Sequence, residues 1–153
     1  MPTRIEVNRT QLNRIIARLR RIESPNTQRL HESIGRRIEP LVARGFIQQR
    51  DPYGVPWKPL ADSTIRGRRR RGRGARILQD TGVMRNSTGF VATTESVEVG
   101  FADPKAKYHQ TGTRKGVPQR AVLPYDEARG FPRDWNQATE AAAVAWLTEM
   151  GFS

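Results

Sequence analysis

Hydrophobic residues recur at helical spacing in the first third of the chain. Five aliphatic side chains form one stripe along residues 10–22, with arginines on the other faces; the stripe is Leu12, Ile15, Ile16, Leu19 and Ile22. A break at residues 24–26 separates it from a second stripe, which is Leu30, Ile34, Ile38, Leu41 and Val42. Two amphipathic segments around a short break predict a helical hairpin over residues 10–50, with a kink in the second helix at Pro40.

The helical pattern is lost over residues 51–76. The first ten of these residues include three prolines and a glycine, which do not fit a regular element. Residues 62–64 offer a helix start, but seven arginines interleaved with glycines follow within eleven positions. Because like charges at this density repel one another, we expect an extended, mobile Pro/Arg-rich loop. Its arginines are Arg66, Arg68, Arg69, Arg70, Arg71, Arg73 and Arg76.

The remaining residues favour a small antiparallel sheet and a closing helix. Two β-prone runs, residues 90–94 and 97–101, are separated by two residues, which is hairpin spacing. Residues 121–123 are a third candidate strand. Asp134 is a candidate N-cap for a C-terminal helix that ends near Met150.

The order of these elements predicts a single α+β domain over residues 1–153. It consists of the helical hairpin, the loop, and a sheet with a C-terminal helix over residues 77–150.

The composition narrows the class of protein. Hydrophobic residues make up 36% of the chain, so its core is thin, and no cysteine is available for disulfides, thiol nucleophiles or zinc ligands. No run approaches the roughly 20 apolar residues that a membrane-spanning helix needs, so we expect no membrane partner. The first residues lack the apolar centre of a signal peptide, so we expect a soluble, cytosolic product.

The charge points to anionic partners. The chain has 27 basic residues, 23 of them arginine, against 15 acidic ones, which gives a net charge of +12. Arginine forks onto phosphate and carboxylate groups. We expect the chain to bind nucleic acid at low salt, whatever its biological role.

The arginine run has two interpretations of equal weight. It binds the phosphates of DNA or RNA, or it meets an acidic surface on a protein partner. No aromatic residues are interleaved with the arginines, so any contact with nucleic acid is expected to be independent of base sequence.

Motifs for catalysis are absent from the sequence. It contains no Gly-x-Ser-x-Gly elbow, no HExxH, no phosphate-binding Gly-Lys-Ser/Thr loop and no paired carboxylates at metal-ligand spacing. Of the two histidines, His31 lies in the helical pattern, and His109 is better explained by a bond to a loop backbone than by general-base catalysis. We therefore expect a protein that is not an enzyme and that uses no cofactor or metal.

Five short motifs follow one another within residues 30–125: PYGVPWKPL (52–60), ILQDTG (77–82), VEVG (97–100), YHQTG (108–112) and VPQRAVL (117–123). Together they resemble the phage virion morphogenesis family, which includes the tail-completion proteins of contractile-tailed phages and the Mu-like G protein. The motif residues have structural explanations as turns and anchors, and they are Gly54, Trp57, Leu60, Leu78, Gly82, Gly100, His109, Gly112, Pro118 and Arg120. We expect Trp57 to be buried with Leu60 and with Ile38 or Val42.

The resemblance implies a ring-forming structural protein at the head–tail junction of a tailed phage or prophage, assembled in the host cytoplasm. Such a protein serves as a tail-completion, terminator or neck component. Its expected partners are copies of itself in a hexameric ring (a dodecamer is the alternative), the tail tube, the head connector and the DNA that passes through the lumen. We expect the helix over residues 10–22 or the β-hairpin to contact the neighbouring copy.

Two other functions remain open from the sequence. One is a free-standing, sequence-independent nucleic-acid-binding protein, for which the charge is the evidence. The other is a nuclease with His109 as its base, which requires metal ligands that the sequence does not identify.

Overall fold

The computed structural model describes residues 26–152, together with three isolated positions before them. The helix predicted over residues 10–22 lies outside the described residues except at those positions, Asn13, Ala17 and Arg20, which are helical and exposed. The described elements are α1 (Thr27–Gln48), α2 (Asp62–Arg70), α3 (Val83–Asn86), β1 (Thr88–Ala92), β2 (Val97–Phe101), α4 (Ala106–Thr111) and α5 (Arg133–Glu149). This combination of helices with a small antiparallel sheet confirms the α+β class.

Helix α1 is the element on which the two strands and the C-terminal helix pack. Its inward face carries Gly35, Ile38, Val42 and Phe46, spaced three and four apart, and all four are buried. The helix continues through Pro40 and ends at Gln48, and the C-cap residue Gln49 has a left-handed φ of 55°. Both β-strands and α5 pack against α1. The core is formed mainly by Ile38, Val42, Phe46, Trp57, Ile77, Leu78, Met84, Val122 and Trp135.

The predicted β-hairpin is confirmed. Strands β1 and β2 are antiparallel, with Thr88 opposite Phe101 and Ala92 opposite Val97, and four residues rather than two connect them. Thr93 shapes the connection, because its hydroxyl oxygen accepts hydrogen bonds from the backbone N–H groups of Glu95 and Ser96. The Thr93 carbonyl also lies 2.7 Å from Nδ1 of His31, which ties the hairpin tip to α1.

The third strand predicted at residues 121–123 is wrong. Within the described residues the sheet has two strands, and residues 121–123 are irregular. Their backbone groups bond to side chains instead: Gln110 Oε1 accepts from the N–H groups of Val122 and Leu123 at 3.0 and 3.1 Å. The apolar side chains of residues 121–123 do lie against the core, as in a strand. Their backbone groups, however, bond to the Gln110 side chain and so do not pair with another strand.

Helix α2 lies within the extended loop predicted over residues 51–76, so that prediction is wrong for residues 62–70. Asp62 lies in the first turn and three arginines lie in the last turn, which is the favourable arrangement with respect to the helix dipole. Arginine is also a good helix former. These local preferences outweigh the repulsion between neighbouring guanidinium groups.

Helix α5 begins one residue before the predicted N-cap. Pro132 occupies the N-cap position, and Asp134 lies in the first turn. The Asp134 carboxylate is 3.6 Å from the guanidinium of Arg44 on α1, so it links the two helices. The helix buries Trp135 and Ala142.

We expect Gly35→Ala to destabilise the protein. A β-carbon at this position would overlap the ring of Phe90 on β1. Overpacking of this kind costs about 1–3 kcal/mol, which outweighs the gain of up to about 1 kcal/mol in helix propensity.

The matched control is Gly67→Ala in α2, where an added β-carbon meets no atom within 4 Å. It should raise the free energy of unfolding by up to about 1 kcal/mol. Urea unfolding of both variants gives the comparison. Equal stabilisation by the two substitutions would show that α1 and β1 are not in close contact at Gly35.

Candidate functional site

A buried carboxylate forms the turn that precedes Trp57. Asp51 is 8% exposed, and its Oδ1 accepts hydrogen bonds from the backbone N–H groups of Tyr53 and Val55 at 2.9 and 2.8 Å. Its Oδ2 accepts a bond of 3.1 Å from the Tyr125 hydroxyl, and burial, with this bond second, raises the pKa of Tyr125. Gly54 has a φ of 84°, as expected for a turn glycine.

Trp57 is buried, which confirms the prediction. It is 4% exposed and shares the core with Ile38 and Val42, with Leu60 at the edge of the cluster. Its ring meets Phe46 edge-on at a centroid distance of 5.8 Å. The indole Nε1 donates a hydrogen bond of 2.8 Å to the carbonyl of Ala121. One side chain therefore joins the Pro-rich segment to α1 and to the segment after α4.

Arg120 holds the Pro-rich segment from the other side. It is 6% exposed, and its guanidinium donates to the carbonyls of Lys58 and Pro59 at 2.7 and 2.8 Å. Burial and the positive charge of Arg68 lower the pKa of Arg120. Because residues 121–123 do not form a strand, Arg120 does not mark a strand entrance. It satisfies carbonyls of the Pro-rich segment that have no main-chain partner among the described residues.

In the motif over residues 108–112, the side chain that holds the neighbouring segment is Gln110, which the sequence analysis did not name. Besides accepting two backbone N–H groups, Gln110 donates from Nε2 to the carbonyl of Leu123 at 2.7 Å. Gly112 has a φ of 73°, and a β-carbon there would lie 3.0 Å from the backbone nitrogen of Gln119. The sequence signal that could have indicated this role is an amide side chain, Gln110, two residues before the turn glycine Gly112.

His109 contributes its backbone carbonyl to this arrangement. That carbonyl accepts a bond of 2.7 Å from the backbone N–H of Arg120, whereas the ring Nδ1 is buried and has no hydrogen-bond partner among the described residues. The bond to a loop backbone that we expected of the His109 side chain is therefore not seen within residues 26–152, and the main chain of His109 makes one instead. Burial and the charge of Arg120 lower the pKa of His109.

The other motif residues also have structural places. Leu78 is buried with a φ of 58°, and Gly82 has a φ of 77° immediately before α3. Gly100 lies opposite Gly89 in the hairpin, one residue before β2 ends. Pro118 is half-buried in the segment before Arg120.

The seven arginines divide into one buried and six exposed side chains. Arg68 is 8% exposed and donates to the carbonyl of Arg76 at 2.7 Å, and its Nε lies 3.4 Å from Asp80. It therefore anchors α2 from inside and is not placed to contact a partner. The other six are all exposed, and we call them the arginine surface: Arg66, Arg69, Arg70, Arg71, Arg73 and Arg76.

Most of the arginine surface carries charge that is not neutralised locally. Within the described residues, Asp80 pairs with Arg73 at 2.9 Å and also meets Arg68. Desolvating an unpaired guanidinium is costly, so the exposed members lie in water or against an anionic partner. This arrangement suits contact with phosphates or carboxylates.

In the described part of the chain, no group of three or more histidine, aspartate or glutamate residues could hold a metal ion. Among the described helices, none is both long and apolar enough to cross a bilayer.

Trp57→Ala should lower the free energy of unfolding by about 3–5 kcal/mol, because it leaves a cavity beside Phe46. Trp57→Phe keeps an aromatic ring but leaves the Ala121 carbonyl unpaired, at a cost of about 1–3 kcal/mol. Chemical denaturation measures both. An unchanged melting temperature in Trp57→Ala would mean that the ring does not hold the loop.

The stability should depend on pH through His109. Since the pKa of His109 is lowered from its ordinary value of 6.5, the unfolded chain binds this proton more readily than the folded one. The stability contributed by the neutral ring is present above that value and is lost as the pH falls below it. The free energy of unfolding should therefore decline between about pH 7 and pH 5, and less so in His109→Gln. Identical pH profiles for the two proteins would contradict this.

The arrangement described above, buried side chains that hold irregular segments and an arginine surface outside, suits a binding and assembly role. Comparison with curated proteins and with solved structures gave no match. The sequence pattern that defines the phage virion morphogenesis family matches residues 7–147, which is most of the chain. The chain therefore belongs to the phage virion morphogenesis family and has a role in the assembly of the phage virion.

Proposed function

We propose that this virion protein forms a closed ring at the head–tail junction, as a tail-completion or terminator protein or as a neck component. Family membership is the observation that carries the proposal, because it gives the chain a role in virion assembly. A hexamer is the favoured ring, since it matches the symmetry of phage tails, and a dodecamer is the alternative. Its neighbours are the tail tube on one face and the head connector on the other.

The arginine surface supports this role. A ring repeats the arginine surface once per subunit. A hexamer therefore places six copies of it around one axis. If the surface faces the lumen, it contacts the phosphates of the DNA that passes through, without reading bases. If it faces the connector, it meets carboxylates of that protein. Arg68 keeps the surface in place in either case, because its bonds to Arg76 and Asp80 fix the end of α2.

The composition supports assembly with neighbours. Hydrophobic residues make up 36% of the chain, and several large apolar side chains are exposed, among them Val91 at 66%, Phe131 at 63% and Val144 at 62%. Contacts between identical subunits cover such side chains and add to the stability of each fold.

A sequence-independent nucleic-acid-binding protein is the second candidate. The net charge of +12 and the arginine surface favour it. Mass photometry with a DNA titration over a salt series separates the two candidates. Closed rings with weak, salt-sensitive DNA affinity support the first, whereas a monomer that binds DNA tightly supports the second.

The triple substitution of Arg69, Arg70 and Arg71 by serine tests the arginine surface while keeping Arg68. We expect rings to persist, because these side chains are exposed. Head–tail joining in vitro should be lost. If the three arginines contact phosphates, the negative slope of log affinity against log salt concentration should become shallower by about 0.9 for each contact that is lost.

A charge-matched control replaces three exposed arginines of α1, Arg29, Arg36 and Arg37, by serine. It changes the net charge equally, so joining should persist in it. Equal loss of joining in both variants would indicate an effect of bulk charge. If the triple serine variant keeps its rings, its DNA affinity and head–tail joining, the arginine surface contacts neither DNA nor a partner protein.

A further inference from the structure

An open apolar groove lies between the two long helices and the hairpin. Its volume is about 450 Å³, and its walls come from α1, β2, α5 and the segments that precede α5. The lining is mainly aliphatic and aromatic, and the residues that matter below are Ile34, Ile38, Val99, Leu123, Phe131 and Trp135.

The groove is an open side of the core. Ile38 and Trp135 belong to the buried cluster, at 3% and 7% exposure, and they also line the groove. Phe131 at its margin is 63% exposed. A contiguous apolar surface that leads into the core is the usual sign of a protein contact, because water at such a surface is unfavourable.

We propose that the groove receives the apolar stripe of residues 10–22 from a neighbouring copy of the chain. The inference rests on the proposed ring, since it names the contact that joins one subunit to the next. It assigns the stripe to the donor subunit and the groove to the acceptor.

The shape of the donor segment fits this role. The sequence pattern predicts a helix over residues 10–22, which would be about 20 Å long at 1.5 Å per residue with its five aliphatic positions on one side. Asn13, Ala17 and Arg20 are helical and exposed, and none of them belongs to the stripe. A helix this short is marginal in isolation, so its apolar side needs a surface to pack on.

The arginines of the donor match one wall of the acceptor. Residues 10–22 contain four arginines and no acidic residue. Helix α5, which forms one wall of the groove, contains three carboxylates against one arginine, and one of the three, Asp134, pairs with Arg44. The α1 wall contains four arginines against two glutamates. Opposite charges at the edge of a contact favour one orientation over others, so we expect the arginines of the donor on the α5 side of the groove.

Exchange between neighbours explains ring closure. Stripe and groove are different surfaces of one chain, so each subunit donates on one side and accepts on the other. Such heterologous contacts are directional, and they close into a ring when the rotation between subunits allows it. If residues 10–22 packed on the groove of their own subunit, stripe and groove would not join one subunit to the next.

Cysteine cross-linking tests the exchange, because the natural chain contains no cysteine. The test variant carries Leu19→Cys on the stripe and Thr139→Cys at the groove, and it is treated with a short bismaleimide. The control carries Ala17→Cys, on the exposed side of the segment, with the same Thr139→Cys. The inference predicts a ladder of covalent oligomers up to ring size for the test pair and little for the control.

A cross-linked product that runs as a monomer would show that the segment packs on its own chain, which overturns the inference. Rings without cross-links overturn it too, but leave the proposed ring function standing. Monomers of wild-type protein in mass photometry would instead contradict the proposed function itself.

A second variant keeps the test decisive if the cysteine pair folds poorly. Ile15→Glu with Leu19→Glu changes only the stripe, so it should remove the contact between subunits and leave the subunit folded. We expect monomers in mass photometry that still unfold in one cooperative thermal transition. Retention of intact rings in this variant overturns the inference.

Discussion

The burial of Trp57 against Phe46 is the contact on which the rest of the described chain depends. It fixes a Pro-rich segment to the end of α1 and, through its Nε1, to the segment after α4. Neither segment forms a helix or a ladder, so main-chain bonds pair only some of their backbone groups and side chains satisfy others. Asp51, Gln110 and Arg120 do this from buried or half-buried positions. The shape of the subunit is therefore set by a few polar side chains as much as by its thin apolar core.

The same polar anchoring divides the arginines into two kinds. Arg68 and Arg120 are buried, and their guanidinium groups bond to backbone carbonyls, so they stabilise the fold. The arginine surface lies outside and holds most of its charge free of nearby carboxylates within the described residues. A subunit anchored by buried polar side chains, with a charged surface outside, suits a protein that joins larger assemblies, which is consistent with membership of the phage virion morphogenesis family.

Periodicity was enough to predict α1, α5 and the hairpin, because their apolar spacing reflects one buried face. Three glycines of the motifs were also predictable as turn residues, since Gly54, Gly82 and Gly112 have positive φ, whereas Gly100 lies inside β2. Charge repulsion alone does not predict helix α2, because Arg68 points inward and bonds to Asp80 and to carbonyls six and eight residues along the chain. Residues 121–123 looked like a strand because an apolar run does not reveal that Gln110 and Trp57 bind its backbone. Such side-chain-to-backbone bonds leave no periodic signal in a sequence.

Locating the subunit in the virion tests the central claim most directly. Virions that carry a C-terminally tagged copy can be labelled with gold and imaged by cryo-electron microscopy, with untagged virions as the control. The account predicts label at the head–tail junction alone, and a ring of density there that the subunit fits. Label along the tail, at the distal end or on the capsid, with none at the junction, would contradict it.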